Sequence, residues 1–218
     1  MIQSQSTLVK ICMKNLFKKT SATRTIHLGL IGLMFVAALS VYAEAEMYRG
    51  YETPPYEVTD ADGDIELRAY QPHLLAEVTV RGNRSGAIGK GFRTLANYIF
   101  GGNAEQTKVA MTVPVAQTAA DEGTWHINFM MPAEYTAETL PKADNEAIRF
   151  VSAPAERQIV IGFSGRGTDR LLTRKADELR AYASDQGLTV VGAPRYYFYD
   201  DPLTIPWNRR NEVAFPIQ

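Results

Sequence analysis

His73 and Met111 are the two side chains whose chemistry best suits an iron ligand. His73 follows Pro72 between two segments with strand character, which predicts a position at the start of a strand. Neutral imidazole is a common axial ligand of haem iron, although an exposed turn residue is the competing interpretation. Met111 lies in the apolar segment VAMTVPV. Its thioether could ligate iron, or it could fill a gap in the core.

Two further polar side chains, His126 and Glu212, interrupt apolar segments. His126 alternates with apolar residues in WHINF, so it faces water if those neighbours face the core. Glu212 lies in NEVAFPI, where a buried carboxylate needs a cationic partner. One interpretation is a structural ion pair with Arg209, Arg210 or another cation, and the other is recognition of a cationic ligand.

The usual signatures of catalysis are missing from the sequence. It contains no Gly-rich phosphate loop, no H-E-x-x-H zinc motif and no G-x-S-x-G nucleophile motif. The single cysteine, Cys12, lies close to the N-terminus, far from any candidate acid or base. We therefore expect a binding protein and not an enzyme.

The first 45 residues have the pattern of a secretory signal peptide. The first 43 contain five Lys or Arg and no Asp or Glu, and an uncharged apolar run extends from Leu28 to Ala43. Small residues in V-Y-A and A-E-A predict cleavage near Ala43 or Ala45, which leaves a mature domain at 46–218. An uncleaved membrane anchor is the alternative, but this run is shorter than the ~20 residues that a spanning helix needs.

Cleavage leaves an acidic protein in the periplasm or outside the cell. Cleavage after Ala43 removes five of the 23 basic residues and none of the 24 acidic ones, which gives a net charge of −6. An acidic surface without a basic run argues against a nucleic-acid partner. Cys12 is lost as well, so the mature domain has no disulfide. We expect a monomer without stable membrane insertion.

The first half of the mature sequence follows a plan of two strands, a helix and two strands. The first two strands lie on either side of Pro72, and the helix begins at Ser85 or Gly86. The helix ends at Gly101-Gly102, and two further strands follow it in KVAMTVPV and WHINFMMP. Three residues of the helix are expected to share a buried face: Phe92, Leu95 and Ile99.

The second half repeats this plan. Two strands lie on either side of Pro154, Thr168 caps a helix that Gly187 terminates, and two strands complete the chain. Leu172 and Leu179 share the buried face of this helix. Short connections dominate, which favours antiparallel pairing. The predicted fold class is α+β, a pseudo-twofold repeat that forms a distorted antiparallel β-barrel flanked by two α-helices.

A set of short motifs, in this order along the chain, resembles the SOUL haem-binding family. The motifs are YEV at 56–58, IELRAY at 65–70, GFRTLANYIFGGN at 91–103, KVAMTVPV at 108–115, PAERQIVIGFSG at 154–165 and RRNEV at 209–213. The resemblance covers the chain after about residue 50. It implies a distorted barrel with two outer helices, and haem or another tetrapyrrole as the ligand.

The resemblance implies that a porphyrin packs on an apolar surface of this domain. The candidate contacts are His73, Phe92, Arg93 and Met111, with His73 as the candidate iron ligand. Porphyrin carboxylates pair well with guanidinium groups. The arginines that flank the first strand–helix unit are Arg68, Arg81, Arg84 and Arg93.

Two aspects of the resemblance leave the ligand open. Some relatives carry a histidine between the residues that correspond to Arg68 and Tyr70, where this chain has Ala69. Iron ligation must then come from another residue, or apolar contacts hold the haem. The same plan is also similar to bacterial effector-binding domains, in which an acidic residue in the cavity recognises cationic drugs. The alternative function is therefore sequestration of small amphipathic cations by Glu212.

Overall fold

The structure is a computed structural model that describes residues 47–218. The predicted signal peptide and its cleavage positions lie outside the described residues. Within the described range, neither α-helix is long and apolar enough to cross a membrane.

The described part of the chain contains eleven strands and two α-helices. In chain order they are β1 (Met47–Tyr48), β2 (Tyr51–Glu52), β3 (Tyr56–Asp62), β4 (Ile65–Tyr70), β5 (His73–Arg81), α1 (Arg84–Ile99), β6 (Val115–Asp121), β7 (Thr124–Met130), β8 (Ile148–Ala153), β9 (Glu156–Phe163), α2 (Asp169–Asp185), β10 (Arg195–Phe198) and β11 (Asn211–Ile217). A 3₁₀ turn at Pro206–Asn208 precedes β11. Strands on both sides of Pro72 and Pro154, and both predicted helices, are thereby confirmed.

Strands β3 to β11 form one antiparallel sheet that curls into a half-barrel. Its order is β3-β4-β9-β11-β10-β6-β7-β5-β8, and β1 and β2 form a separate two-stranded ribbon. Helix α1 packs on β5 and β7, and helix α2 packs on β9 and β11. The predicted α+β fold with two flanking helices is confirmed.

The two halves of the sheet exchange their first strands. Only Gln71 and Pro72 separate β4 from β5, a length that usually closes a hairpin, yet these strands do not pair. Strand β4 pairs with β9 in the second half, and β5 pairs with β8. Proline fixes its own φ and keeps the preceding residue extended, so the chain continues forward into the other half.

Polar side chains cap the first turn of each helix. Asn83 caps α1, and its side chain accepts a hydrogen bond from the Gly86 amide at 2.7 Å. The predicted start at Ser85 or Gly86 is therefore a little late, because asparagine is a strong N-cap that sequence pattern alone did not single out. Thr168 caps α2 as predicted, accepting from the Leu171 amide at 3.3 Å.

A glycine in the left-handed conformation follows each helix. Gly101 has φ of 103° and Gly187 has φ of 68°. Glycine adopts this region without the strain that a Cβ atom would cause, so both chain reversals depend on these residues. The predicted helix ends are confirmed.

The helix face of the sheet carries two apolar clusters, one under each helix. Leu95 and Ile99 of α1 are buried in the first cluster, and Leu172 and Leu179 of α2 are buried in the second, as predicted. Phe92 is different, because 40% of its surface is exposed. The prediction that Phe92 is buried is wrong.

The close approach of α1 to the sheet explains the exposure of Phe92. A Cβ atom at Gly91 would lie 2.4 Å from Cγ1 of Ile127 on β7, so the backbone of the helix itself contacts the strand. The buried stripe therefore includes Gly91, Leu95 and Tyr98. Phe92 lies beside the stripe, and its ring contacts Phe129 edge-on at 5.5 Å between centroids.

The segment at 108–114 is not a strand, contrary to the prediction. Strand β6 begins only at Val115. Hydrogen bonds from the segment go to three separate elements. The Val109 amide donates to a carbonyl at the end of α1, the Thr112 hydroxyl to one in β7, and the Val113 amide to one in β2. A strand ladder needs a single continuous neighbour, which this segment lacks.

Replacing Gly91 by alanine tests the close contact between α1 and β7. We expect Gly91→Ala to lower the free energy of unfolding by about 1–3 kcal/mol, because the added methyl group overlaps the buried Ile127. The measurement is chemical denaturation of the purified chain, followed by circular dichroism.

Gly89→Ala, in the same helix, is the matched control. A Cβ atom there meets only the end of the Arg93 side chain, at 3.7 Å, so it fits without displacement. This change should raise the free energy of unfolding by about 0.5–1 kcal/mol, because alanine favours helix over glycine. Equal effects of the two substitutions would show that helix propensity, and not the contact with Ile127, governs this position.

Candidate ligand-binding cavity on the inner face

The inner face of the sheet, which is the side opposite the helices, contains a cavity of about 330 Å³. Alternation along the strands places Leu75, Asn128 and Tyr197 on this face, while Ala76 and Ile127 point into the core under α1. The volume lies at the lower end of the ~300–1,000 Å³ typical of small-molecule sites. This cavity, here called the inner cavity, is the candidate ligand site.

His73 lines the inner cavity at the first residue of β5. Its Nδ1 lies 2.8 Å from the carbonyl oxygen of Gln71. A carbonyl can only accept, so Nδ1 carries the proton in this hydrogen bond. Burial lowers the pKa of His73 below its usual value, while the Gln71 carbonyl and Glu156 act in the opposite direction. A neutral ring with a protonated Nδ1 has its lone pair on Nε2, the arrangement of most metal-ligating histidines.

The other three predicted haem contacts lie away from the inner cavity. Met111 packs against the core cluster under α1, and Phe92 contacts the helix face of β7. Arg93 is exposed on α1. The structure therefore does not bring the four predicted residues together, and among them only His73 lines the inner cavity.

The arginines predicted to pair with porphyrin carboxylates divide into two groups. Arg68 and Arg84 already have protein partners, since Arg68 pairs with Glu212 and Arg84 pairs with Asp169. Arg84 also donates to the Gly167 carbonyl and to Gln117, which ties the start of α1 to the start of α2. Arg81 and Arg93 are exposed, and no ion pair to either is present within residues 47–218.

Glu212 forms the most buried ion pair of the described chain, which confirms the structural interpretation of this residue. Its two carboxylate oxygens each accept a hydrogen bond of 2.9 Å from the guanidinium of Arg68. Arg210 donates to Oε1 at 2.7 and 2.9 Å. The sequence suggested Arg210 but not Arg68, which is 144 residues away. Arg209 instead donates to loop carbonyls.

Tyrosines complete the hydrogen bonding around Glu212. The Tyr199 hydroxyl donates to Oε2 at 2.9 Å, and the Tyr70 hydroxyl accepts from Arg68 at 3.2 Å. Burial raises the pKa of both tyrosines well above the usual value, so both remain protonated. Burial alone would raise the pKa of Glu212 too, but Arg68 and Arg210 outweigh it and hold that pKa below its usual range.

Two polar residues of the inner cavity, Glu77 and Asn128, were not singled out from the sequence. They are opposite each other on β5 and β7, and both point into the inner cavity. His126, expected at the surface, also lines this cavity, with Nδ1 3.1 Å from the Thr79 hydroxyl and 3.4 Å from Glu77. In the sequence, Glu77, Asn128 and His126 are polar residues that alternate with apolar residues along predicted strands. Only the register of the folded strands brings the three side chains together.

The SOUL heme-binding protein family matches residues 51–216, which cover the whole sheet and both helices almost to the last residue. The chain belongs to this family. Among relatives, it is 28% identical over 190 residues to the human protein Heme-binding protein 2, an alignment that covers 78% of this chain and 88% of the relative.

Solved structures share the fold of this SOUL family member at low sequence identity. The C-terminal domain of EcmrR is 13% identical with a TM-score of 0.57, covering 75% of this chain and 98% of that one. An uncharacterized conserved protein from Listeria innocua is 14% identical with a TM-score of 0.52, covering 71% and 92%. At this identity the likeness establishes the fold and not the ligand.

Three sequence motifs that resemble the SOUL family meet in the Glu212 network. IELRAY supplies Arg68 and Tyr70, RRNEV supplies Arg210 and Glu212, and YEV supplies Tyr56. The Arg68 guanidinium lies 4.5 Å from the centre of the Tyr56 ring. The Tyr56 hydroxyl accepts a hydrogen bond from Arg210. These motifs therefore label a structural ion-pair network, whereas the inner cavity is lined largely by other residues.

Glu212→Gln tests the energetic weight of the ion-pair network. We expect a loss of about 3–5 kcal/mol in the free energy of unfolding at pH 7, because Arg68 loses its buried counter-charge and keeps only the partly exposed Glu66. A carboxylate with a lowered pKa stabilises the fold above its ordinary value of 4.5, and this contribution disappears as the pH falls through its lower folded-state value. The difference between wild type and variant should therefore be constant from pH 5 to 7 and shrink below about pH 4.5.

Glu178→Gln is the control for this measurement. Glu178 pairs with Lys175 on the exposed side of α2, and such pairs contribute at most about 0.5 kcal/mol. Denaturant unfolding at several pH values compares the two variants. A loss below about 1 kcal/mol for Glu212→Gln would contradict the proposed role of the buried pair.

Proposed function

We propose that this chain binds haem, or another tetrapyrrole, at the inner cavity with His73 as the iron ligand. The observation that carries the proposal is the His73 ring, whose Nδ1 is held by the Gln71 carbonyl while it lines the cavity. Membership of a haem-binding family supports the ligand class. Haem iron takes neutral imidazole as an axial ligand, and the lowered pKa keeps this ring neutral at pH 7.

The walls of the inner cavity fit a flat, mainly apolar ligand. Leu75, Met130, Val151 and Pro114 supply aliphatic surface, and Tyr197 supplies an aromatic ring. A porphyrin is large for a cavity of about 330 Å³, so the cavity would enclose it only in part. Exposed side chains such as Arg149, which pairs with Glu77 of the cavity, would be available to its propionate groups.

The residues of this site hold a ligand and do not suggest a reaction. His73 would supply an imidazole ligand, the Gln71 carbonyl would hold its ring, and the apolar walls would exclude water from the ligand. When bound, the haem supplies its own redox and ligand chemistry. We infer a non-enzymatic role, such as carriage or storage of a tetrapyrrole.

The alternative function, sequestration of amphipathic cations by Glu212, has less support. Arg68, Arg210 and Tyr199 already donate to both carboxylate oxygens of Glu212. The side chain is 1% exposed, so a cationic ligand would have to displace a buried arginine. Removing one partner of such a pair is strongly unfavourable.

Titration of the purified full-length chain with haem tests the proposed site. Wild type should bind saturably with a shifted Soret band. His73→Ala should change the position of this band, because the iron loses its imidazole ligand. Much of the affinity should remain, since burial of the porphyrin contributes ~25 cal/mol per Å² of apolar area whether or not iron is ligated.

His126→Ala is the matched control, since it removes the other histidine of the described residues. It should leave the Soret band unchanged, because the His126 ring is oriented by Thr79 and Glu77. If the Soret band moves with His126→Ala and not with His73→Ala, the iron ligand is His126, and the proposed role of His73 is wrong. A change with Phe92→Ser alone would place the haem on the exposed face of α1.

We also propose that the protein is exported and cleaved near Ala43 or Ala45. The support is the basic, acid-free start of the chain and the apolar run that follows it. N-terminal sequencing of the protein recovered from the periplasm or the medium should read from Glu44 or Glu46. Recovery of the uncleaved chain in the membrane fraction would support an anchor instead.

A further inference from the structure

We propose that the loop between β10 and β11 docks reversibly on the surface of an anionic phospholipid bilayer. Three large apolar side chains of this loop, Leu203, Ile205 and Trp207, enter the headgroup region. Arginines beside the loop meet the lipid phosphates. The contact does not depend on haem or on the proposed iron ligand.

The three apolar side chains of the loop are strongly exposed to solvent. Leu203 is 92% exposed, Trp207 is 73% exposed and Ile205 is 47% exposed. Leu203 and Trp207 are the two most exposed large apolar side chains within residues 47–218. Contact of such surface with water is unfavourable, and a cluster of it marks a site of interaction with a protein or a membrane.

The backbone of the loop is held by hydrogen bonds, so the exposed side chains are presented in a set arrangement. The Arg209 guanidinium donates to the carbonyls of Pro202 and Thr204. The Gly165 amide, just before α2, donates to the Pro206 carbonyl at 2.8 Å. Because the loop is already ordered, docking loses little further conformational entropy.

The small size of the apolar surface favours a bilayer over a protein partner. A stable protein interface buries about 800 Å² on each partner and involves roughly 20–30 residues a side. Three side chains of one loop supply far less area. Peripheral binding to a bilayer depends on buried apolar area plus attraction to anionic lipids, so a few inserted side chains suffice for a reversible contact. Tryptophan is enriched at the membrane–water interface, because its ring is amphipathic.

Two arginines lie beside the loop at the start of α2. Arg166 is exposed and directly follows Gly165, whose amide is bonded to the loop. Arg170 is exposed in the first turn of α2. No ion pair to either arginine is present within residues 47–218. Basic side chains next to an anionic bilayer strengthen peripheral binding.

The acidic side chains near the loop do not cancel these two positive charges. Asp200 forms an ion pair with Arg49, and Asp169 forms one with Arg84. Asp201 is exposed, and its Oδ1 accepts a hydrogen bond from the backbone amide two residues later at 2.6 Å. One acid without an ion pair thus faces two such arginines. The surface around the loop is therefore basic, which complements an anionic bilayer.

Quenching of tryptophan fluorescence by brominated lipids tests the proposal on the full-length chain. The vesicles contain equal amounts of phosphatidylcholine and phosphatidylglycerol, with bromine on the acyl chains. Trp125 and Trp207 are the two tryptophans of the sequence, so the apolar run at 28–43 gives no signal of its own. Trp125 packs against the core clusters under the helices. We expect saturable quenching of wild type and its loss in Trp207→Phe.

Leu203→Ser measures the contribution of the apolar side chains. The lipid concentration that gives half-maximal quenching should rise at least about tenfold, because one inserted side chain is lost. Phe100→Ser is the matched control, since Phe100 is 65% exposed at the end of α1, and it should leave this concentration unchanged.

The double variant Arg166→Gln/Arg170→Gln measures the contribution of the positive charges. It should raise the half-maximal lipid concentration at least about tenfold and remove the preference over vesicles of phosphatidylcholine alone. Arg93→Gln, which removes an exposed arginine of α1, is its control and should behave as wild type does.

Thermal unfolding and sedimentation separate membrane docking from other roles of the loop. The unfolding midpoint of Leu203→Ser should equal that of wild type, because the side chain is almost fully exposed. A clearly lower midpoint would show that Leu203 packs in the fold and would overturn the proposal. Absent quenching, or quenching unchanged in Leu203→Ser, would overturn it too. So would a lipid-free dimer that Leu203→Ser dissociates, because the loop would then be a contact between two copies of the chain.

Discussion

The ion pair between Arg68 and Glu212 is the interaction on which the architecture depends. Arg68 lies on β4 and Glu212 on β11, with β9 between them. Neighbouring strands are ~4.8 Å apart, so only a long side chain can cross the intervening strand. The pair is 3% and 1% exposed, and its charges are compensated by Glu66 and Arg210. It fastens the exchanged strand β4, which belongs to the first repeat, to the last strand of the second.

A half-barrel with helices on one side leaves its inner face without a covering layer. The inner face is filled to different degrees in different parts of the sheet. Near β4 and β11 the inner face is filled by the Glu212 network and its tyrosines. Near β5 to β7 the face remains hollow around Asn128. The inner cavity borders the network, because Tyr70 and Tyr199 form part of its wall.

Local sequence patterns were enough to predict the helices and their ends. Features that depend on contacts between residues distant in sequence could not be predicted from them. Helix periodicity, the Thr168 cap and the glycines after each helix depend on neighbours in sequence, and the structure confirms them. The exposure of Phe92 depends instead on the contact of Gly91 with Ile127, which no local pattern encodes. The inner cavity needs the register of strands distant in sequence. His73 is therefore recognisable from its chemistry alone, whereas the buried Asn128 oxygen, which has no hydrogen-bond partner within residues 47–218, stands out only in the structure.

The alternation of side chains along β4 decides on which face of the sheet Ala69 lies. Arg68 and Tyr70 point to the inner face, whereas Leu67 packs in the core under α2, so Ala69 also points to the helix face. A histidine at position 69 would therefore lie on the helix face of the sheet, away from His73 and the inner cavity. The Glu212 network leaves position 69 free to vary, because Arg68 and Arg210 pair with Glu212 on the other face of the sheet. The motifs that maintain this fold are thus separate from position 69, and the fold alone does not fix where a ligand binds.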